Sequence, residues 1–310
     1  MSKITQQDYQ EYQSLISDGY SQRAACEALD IPRSTMQDYL KREVFSVEVS
    51  SGSPKILCID LECSPMLLWG YGLFNQNFSI DMIEEDWKLL TYCAKFVGED
   101  KVYYGDINPQ GGKTEKDILQ EIWTLMDEAD VLLGQNSDKF DIKKLNAKFF
   151  EFGMKPYSSV QKIDTLKIAK KEFMFSSNKL GYMTEKFNTE YKKQKHEKFP
   201  GISLFVECAK DNPEAWKEIA EYNAFDVLAT EELYLQMRPW VKNHINLSLY
   251  KDNYETTCRC GSTSFEQNGF AYTNISKFKK YRCTECGAEI RDRVDLVPKE
   301  LKKNIKANVS

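Results

Sequence analysis

The chain has 310 residues, 42% of them hydrophobic and 29% charged, with a formal net charge of −5. That length exceeds one minimal domain, the composition is globular rather than disordered or fibrous, and no apolar run approaches the roughly 20 residues that cross a bilayer. Charge is uneven: residues 1–50 carry 5 basic and 8 acidic side chains, residues 258–310 carry 11 and 6, and the middle is left net negative, as carboxylates gathered around cations would make it.

The opening MSKITQQDYQEYQ lacks the apolar centre of an export signal, so a cytoplasmic protein with no membrane partner is expected. Residues 1–45 read as a module of three short helices. Tyr9, Tyr12, Leu15 and Ile16 make one stripe, closed by Asp18-Gly19, and Ser21 caps a second helix carrying Ala25 and Leu29. Pro32 opens a third with Met36, Tyr39 and Leu40 on one side. The arrangement resembles a helix-turn-helix DNA-binding unit with Arg33, Ser34, Thr35 and Gln37 toward the major groove. A small helical protein-interaction module reads equally from an acidic segment. Residues 46–54 end in Ser, Gly and Pro, a linker composition.

The main domain, residues 55–245, opens with Lys55-Ile-Leu-Cys-Ile-Asp60-Leu-Glu62, an apolar strand ending in two carboxylates on alternate residues. Both point to one face, and two like charges held side by side call for a hard divalent cation. Residues 67–74 and 87–97 are aromatic-rich and strand-like, predicting a meander beside the first strand that Val102-Tyr103-Tyr104 extends. Thr114–Asp130 has helical spacing, and Val131–Gly134 is a short buried strand. Helix Asp141–Gly153 follows, with Leu145, Phe149 and Phe150 inward, Lys143, Lys144 and Lys148 outward, and Phe140 assigned to the core. The alternation continues through 162–171 and 178–187. A last long helix starts at Asp211-Asn212-Pro213 and runs to about Trp240. The fold class is therefore α/β. Cys26, Cys58, Cys63, Cys93 and Cys208 are scattered and read as small buried apolar side chains.

Two further stretches carry chemistry. In Gly134-Gln135-Asn136-Ser137-Asp138-Lys139-Phe140-Asp141, a loop leaves the carboxyl end of a strand and Asp141 opens a helix, the place where open α/β sheets take ligands. In Glu221-Tyr222-Asn223-Ala224-Phe225-Asp226, a helix sets Tyr222 and Asp226 one turn apart on one face. Asp164 reads as a supporting acid or as the cap of a helix at Thr165. Lys143, Lys144, Lys179, Lys192, Lys193 and Lys195 could hold phosphates or simply face solvent.

The order Asp60-x-Glu62, Asn136 with Phe140-Asp141, and Tyr222 ahead of Asp226 resembles the three exonuclease motifs of the DEDD superfamily of 3′-to-5′ exonucleases, and the tyrosine resembles its DEDDy branch. Trp69-Gly70, Val160-Gln-Lys-Ile-Asp164-Thr165 and Ser177-Asn178-Lys179-Leu180 are similar to a phage-associated branch of predicted exonucleases. The resemblance implies a ribonuclease H-like mixed sheet flanked by helices over about residues 54–240, and metal-dependent phosphodiester hydrolysis. If the protein is phage-encoded, its location is the host-cell cytoplasm. Two Mg²⁺ or Mn²⁺ ions would act on attacking and leaving oxygens. Asp60, Glu62 and Asp226 are assigned to one ion, and Asp60 with Asp141 in its outer shell to the other. Tyr222 orients water, and Asn136 and Lys179 contact substrate. The expected partner is nucleic acid, with single-stranded 3′ ends of DNA favoured, together with a separately encoded DNA polymerase by analogy. A ribonuclease H-like transposase or resolvase, or a non-catalytic nucleic-acid-binding regulator, are the alternatives.

After a linker at 246–257, Cys258-Arg-Cys260-Gly and Cys283-Thr-Glu-Cys286-Gly stand 22 residues apart. Four thiolates from two tight turns can close a tetrahedral Zn²⁺ site, so residues 258–293 resemble a zinc ribbon, with one residue where the first pair normally has two. Phe270, Tyr272, Lys277, Phe278, Lys279, Lys280, Tyr281 and Arg282, then Arg291 and Arg293, interleave aromatic and basic side chains as a single-strand-tracking surface does. Residues 294–310 form a basic tail.

Overall fold

The computed structural model describes residues 6–17, 20–36, 54–158, 161–187, 190–191, 198–250 and 256–306. Two compact units are present: one holds the amino-terminal helices together with Tyr250, the other the described residues of 54–249 and 256–306. In the first, α1 (Gln6–Ser17), α2 (Gln22–Ala28) and a helical turn at 33–36, α3, enclose Tyr12, Ala25, Cys26 and Met36. Ser21 Oγ accepts from Ala24 N at 3.2 Å, the expected cap. Asp18-Gly19, Gln37, Tyr39, Leu40, Val160, residues 46–53 and 251–255, and Lys192, Lys193 and Lys195 lie outside the described residues.

The second unit runs, in chain order, β1 (Ile56–Cys63), β2 (Leu67–Leu68), β3 (Ile83–Glu85), β4 (Leu89–Phe96), β5 (Val102–Asp106), α4 (Glu115–Glu128), β6 (Val131–Gly134), α5 (Asp141–Glu151), β7 (Gln161–Asp164), α6 (Thr165–Glu172), α7 (Leu180–Lys186), α8 (Ser203–Ala209), α9 (Pro213–Met237), β8 (Phe265–Tyr272), β9 (Lys277–Cys283), β10 (Glu289–Arg291) and α10 (Lys299–Lys302). The helix limits follow local chemistry. Thr114 and Asp117 make a reciprocal capping box at α4, and Asn212 caps α9 with Pro213 in the first turn.

Five strands form one mixed sheet in the order β5-β4-β1-β6-β7. β1 is antiparallel to β4 and parallel to β6. Strand alternation sorts side chains to the two faces. Leu57, Ile59 and Leu61 of β1, with Tyr92, Ala94 and Phe96 of β4, pack on Ile118, Leu119, Ile122 and Met126 of α4 and on Ile142, Leu145 and Phe149 of α5. Each such fully buried aliphatic side chain contributes about 1.5–3 kcal/mol. The other face of the same strands meets α9: Cys58 Sγ lies 3.6 Å from Val227 O, and the buried pair Lys95–Glu231 spans 2.5 Å. Asp60 and Glu62 belong to that second face. The helix that covers them is thus determined by their parity with Cys58.

Some expectations are corrected. Only Leu67–Leu68 of the stretch 67–74 is strand, and it pairs with β3 rather than with β1. The rest is a loop in which Gln76 Oε1 accepts from Tyr71 N (3.0 Å) and Gly72 N (2.9 Å), leaving Tyr71 100% exposed. An internal amide, not a buried ring, holds this loop. In α5, Phe149 is buried but Phe150 is 88% exposed. Lys148 is buried, bridging Glu115 and Glu151 beside the Trp87 ring. Phe140 is 41% exposed instead of core, and Phe278 is buried under the Arg291 guanidinium.

Candidate active site

The β1 register shift between Glu62 and Cys63 ends its regular pairing with β4 just past the second carboxylate. Asp60 and Glu62 leave the strand toward α9. Tyr222 and Asp226 arrive on the facing side of that helix, one turn apart. Each of Asp60, Glu62 and Asp226 offers an oxygen, and the three lie within 4.8 Å of one another. Oxygens sharing one octahedral Mg²⁺ at about 2.1 Å sit about 3–4 Å apart, so the donor set and its spacing fit a hard divalent cation. Tyr222 is driven far above the usual phenol range by burial and then by the charges of Asp226, Glu62 and Asp60. It stays protonated and acts as a hydrogen-bonding group, with Asp226 as one partner.

Asp141 is not in that cluster. Its Oδ1 accepts from Leu61 N at 3.2 Å, which puts the carboxylate against the β1 backbone between Asp60 and Glu62. Burial pushes it up to about 7, against the pull of backbone hydrogen bonds from its own N–H and Leu61, and Asp164 adds to the rise.

The loop from β6 to α5 is shaped by close contacts. A Cβ on Gly134 would fall 2.6 Å from Ser137 Cβ and 3.1 Å from Ile59 O, so only glycine fits where β6 meets the loop. Asn136 adopts φ 64°, a left-handed conformation that asparagine tolerates. Asp164 ties the loop down: its Oδ1 accepts from Asn136 N (3.0 Å) and from Leu166 N (2.9 Å), and its Oδ2 from Asp138 N (3.4 Å). Asp164 is thus the cap of α6, and the same carboxylate holds the loop that carries Asn136. Lys179 is exposed at the start of α7, next to Asn178, whose carbonyl accepts from Gln135 Nε2 at 3.1 Å.

Asn223 was not among the sequence-predicted site residues. Buried beside Tyr222, it donates through Nδ2 to Asp60 Oδ2 at 2.7 Å and accepts from Thr91 Oγ1 at 3.0 Å. Its place next to Tyr222 in a helix facing the sheet was the available signal.

At the other end of α9, Cys258, Cys260, Cys283 and Cys286 bring their sulphurs within 4.8 Å of one another. Cys258–Cys286 and Cys260–Cys283 are each 3.7 Å apart. Thiolates about 2.3 Å from a tetrahedral zinc are spaced by about 3.8 Å, so the set fits zinc despite the short first knuckle. With β8, β9 and β10 as a three-stranded antiparallel sheet, the segment is consistent with a zinc ribbon.

The mixed sheet, its flanking helices and the acidic cluster define a ribonuclease H-like nuclease fold. Residues 86–238 match the family model described as the RNase_H superfamily, so the chain carries a domain of that superfamily there. The match takes in Asp141, Tyr222 and Asp226 and begins after β1. Among solved structures, the chain is similar to the family B DNA polymerase from the hyperthermophilic archaeon Pyrobaculum calidifontis, at 14% identity and a TM-score of 0.46, over 64% of this chain and 26% of that one. It spans about a quarter of that polymerase's length. No curated protein matches. No helix among the described residues is long and apolar enough to cross a membrane.

Proposed function

We propose that the protein is a metal-dependent 3′-to-5′ exonuclease of the DEDDy type, acting on DNA and related to a phage-associated branch. The observation that carries this reading is the convergence of Asp60, Glu62 and Asp226 within 4.8 Å, with Tyr222 one turn ahead of Asp226. Asp60, Glu62 and Asp226 would hold two Mg²⁺ or Mn²⁺ ions, with Asp141 behind them. Such ions supply a nucleophile at neutral pH and relieve charge on the attacking and leaving oxygens.

The chain's own groups do the rest. Tyr222, kept protonated with its one hydroxyl proton directed to Asp226, orients the attacking water by accepting a hydrogen bond from it. Asn223 holds the Asp60 carboxylate. Asn136, in the loop tied by Asp164, addresses the terminal nucleotide, and Lys179 a phosphate. Cys258, Cys260, Cys283 and Cys286 bind one structural Zn²⁺. The amino-terminal helices bind duplex DNA, and a separately encoded polymerase is the partner.

The test is a product ladder from matched 3′- and 5′-labelled strands, DNA and RNA, with and without Mg²⁺ or Mn²⁺. Shortening from the 3′ end of DNA that stops in Asp226→Ala supports the reading. Nicking of closed circles, or digestion that survives Asp226→Ala, sinks it.

A further inference from the structure

The ribbon docks on the end of α9 through the one residue that makes its first knuckle short. Arg259, between Cys258 and Cys260, donates through Nη1 to Lys242 O (2.8 Å) and His244 O (3.3 Å), and its carbonyl accepts from Leu247 N at 2.7 Å. On the second knuckle, a Cβ on Gly287 would come to 3.8 Å from Pro239 Cβ. Behind these contacts Tyr234 Oη lies 2.8 Å from His244 Nε2.

Between the two parts lies a cleft of about 1180 Å³ whose walls include Arg238, Lys242, Arg259, Arg282, Arg291 and Arg293. Two carboxylates line it, Glu289 and Asp292, and both are engaged: Glu289 by Arg282 and Lys280, Asp292 by the Tyr281 hydroxyl. The excess is cationic in a chain of net charge −5. Arg238 Nε is buried with no acceptor among the described residues. Trp240, 67% exposed, and Tyr281 stand among the arginines.

We infer that this cleft binds the phosphate backbone of a single nucleic-acid strand. The choice of nucleic acid over an acidic peptide rests on the nuclease reading and on the aromatic faces, which can stack bases while the guanidinium groups pair with phosphates. From Asp226 to Arg238 along α9 is about 18 Å at 1.5 Å per residue. A strand with its end at the acidic cluster reaches the cleft only if it is several nucleotides long.

The experiment uses full-length Asp226→Ala protein, which does not digest its ligand, and a fluorescent DNA strand of about sixteen nucleotides, the upper span of a single-strand groove. Binding is followed by anisotropy against salt, with and without Lys242→Gln, Arg291→Gln and Arg293→Gln together. Loss of three phosphate contacts should lower the slope of log affinity against log salt by about 2, at about 0.7 per contact for single strands. If the triple variant melts early or loses zinc, Arg293→Gln alone should lower it by about 0.7. An unchanged slope overturns the proposal, as does a polyglutamate peptide that displaces the strand at equal charge concentration. Hydrolysis by the unaltered protein is read separately. A slope change without hydrolysis counts against the nuclease, and hydrolysis without a slope change counts against the cleft.

Discussion

The side-chain amide of Asn223 donates to Asp60 Oδ2 at 2.7 Å, and its own orientation is set by Thr91 Oγ1, which donates to Oδ1 at 3.0 Å. All three side chains come from the layer between β1, β4 and α9. The bond occupies one lone pair of Asp60 and fixes the direction of the rest.

Groups that orient a metal ligand from behind typically cost 10- to 100-fold in metal affinity or activity when removed. Asn223→Ala should therefore weaken Mn²⁺ binding by about 10- to 100-fold, read by titration without substrate. Thr91→Val should have a smaller effect in the same direction. Unchanged Mn²⁺ affinity in Asn223→Ala would remove the positioning role.

Asp141 gives metal-free protein a pH signature. Its folded carboxyl sits at about 7, above the unfolded value of about 3.9. Between those values the folded state keeps a proton that the unfolded chain releases. Its contribution is complete below the unfolded value and is lost as pH rises through 7. The urea midpoint of metal-free protein should fall from about pH 5 to about pH 8, and Asp141→Asn should flatten that fall. An identical profile in the variant would argue against it.

Adjacent phenylalanines should behave oppositely. Phe149 packs in the main core with Tyr157 at 6.1 Å between ring centroids, and Phe149→Ala should cost about 3–5 kcal/mol. Phe150→Ser should stay within about 0.5 kcal/mol of the unaltered protein. Thermal or urea melts of the two variants suffice, and equal losses would mean the phase of α5 is misassigned.

Removing one thiol should empty the ribbon. Zinc analysis should find about one metal per chain, and Cys286→Ser should bring it near zero. Since the ribbon docks through Arg259, the same change should expose the 242–248 backbone to faster hydrogen exchange. Full zinc occupancy in Cys286→Ser would exclude a four-cysteine site.

What was legible in the sequence was whatever rests on local period and spacing. Strand parity put Asp60 and Glu62 on one side, and helical spacing paired Tyr222 with Asp226. Asn212-Pro213 marked the start of α9. The misread positions depend on something distant or on a finer phase. Phe149 and Phe150 are both apolar, but a 100° step separates them, and only one can share the face of Leu145. Lys148 is buried because Glu115, a residue of another helix, meets its ammonium group. Asn223 acquires its role from Asp60, 163 residues earlier; its place beside Tyr222 marks it as facing the sheet but does not say which residue of the sheet it meets.

The loop after β2 was misread for another reason, since ring-rich composition normally signals a strand. Its shape depends on Gln76, whose one carbonyl oxygen gathers two successive backbone N–H groups while its amide nitrogen lies 3.8 Å from Met82 Sδ. Contour and surface are therefore specified by different residues. The outward side chains Tyr71, Leu73 and Phe74 can thus be exchanged without disturbing the turn, so the outer surface of this edge is open to redesign while the scaffold beneath it is kept.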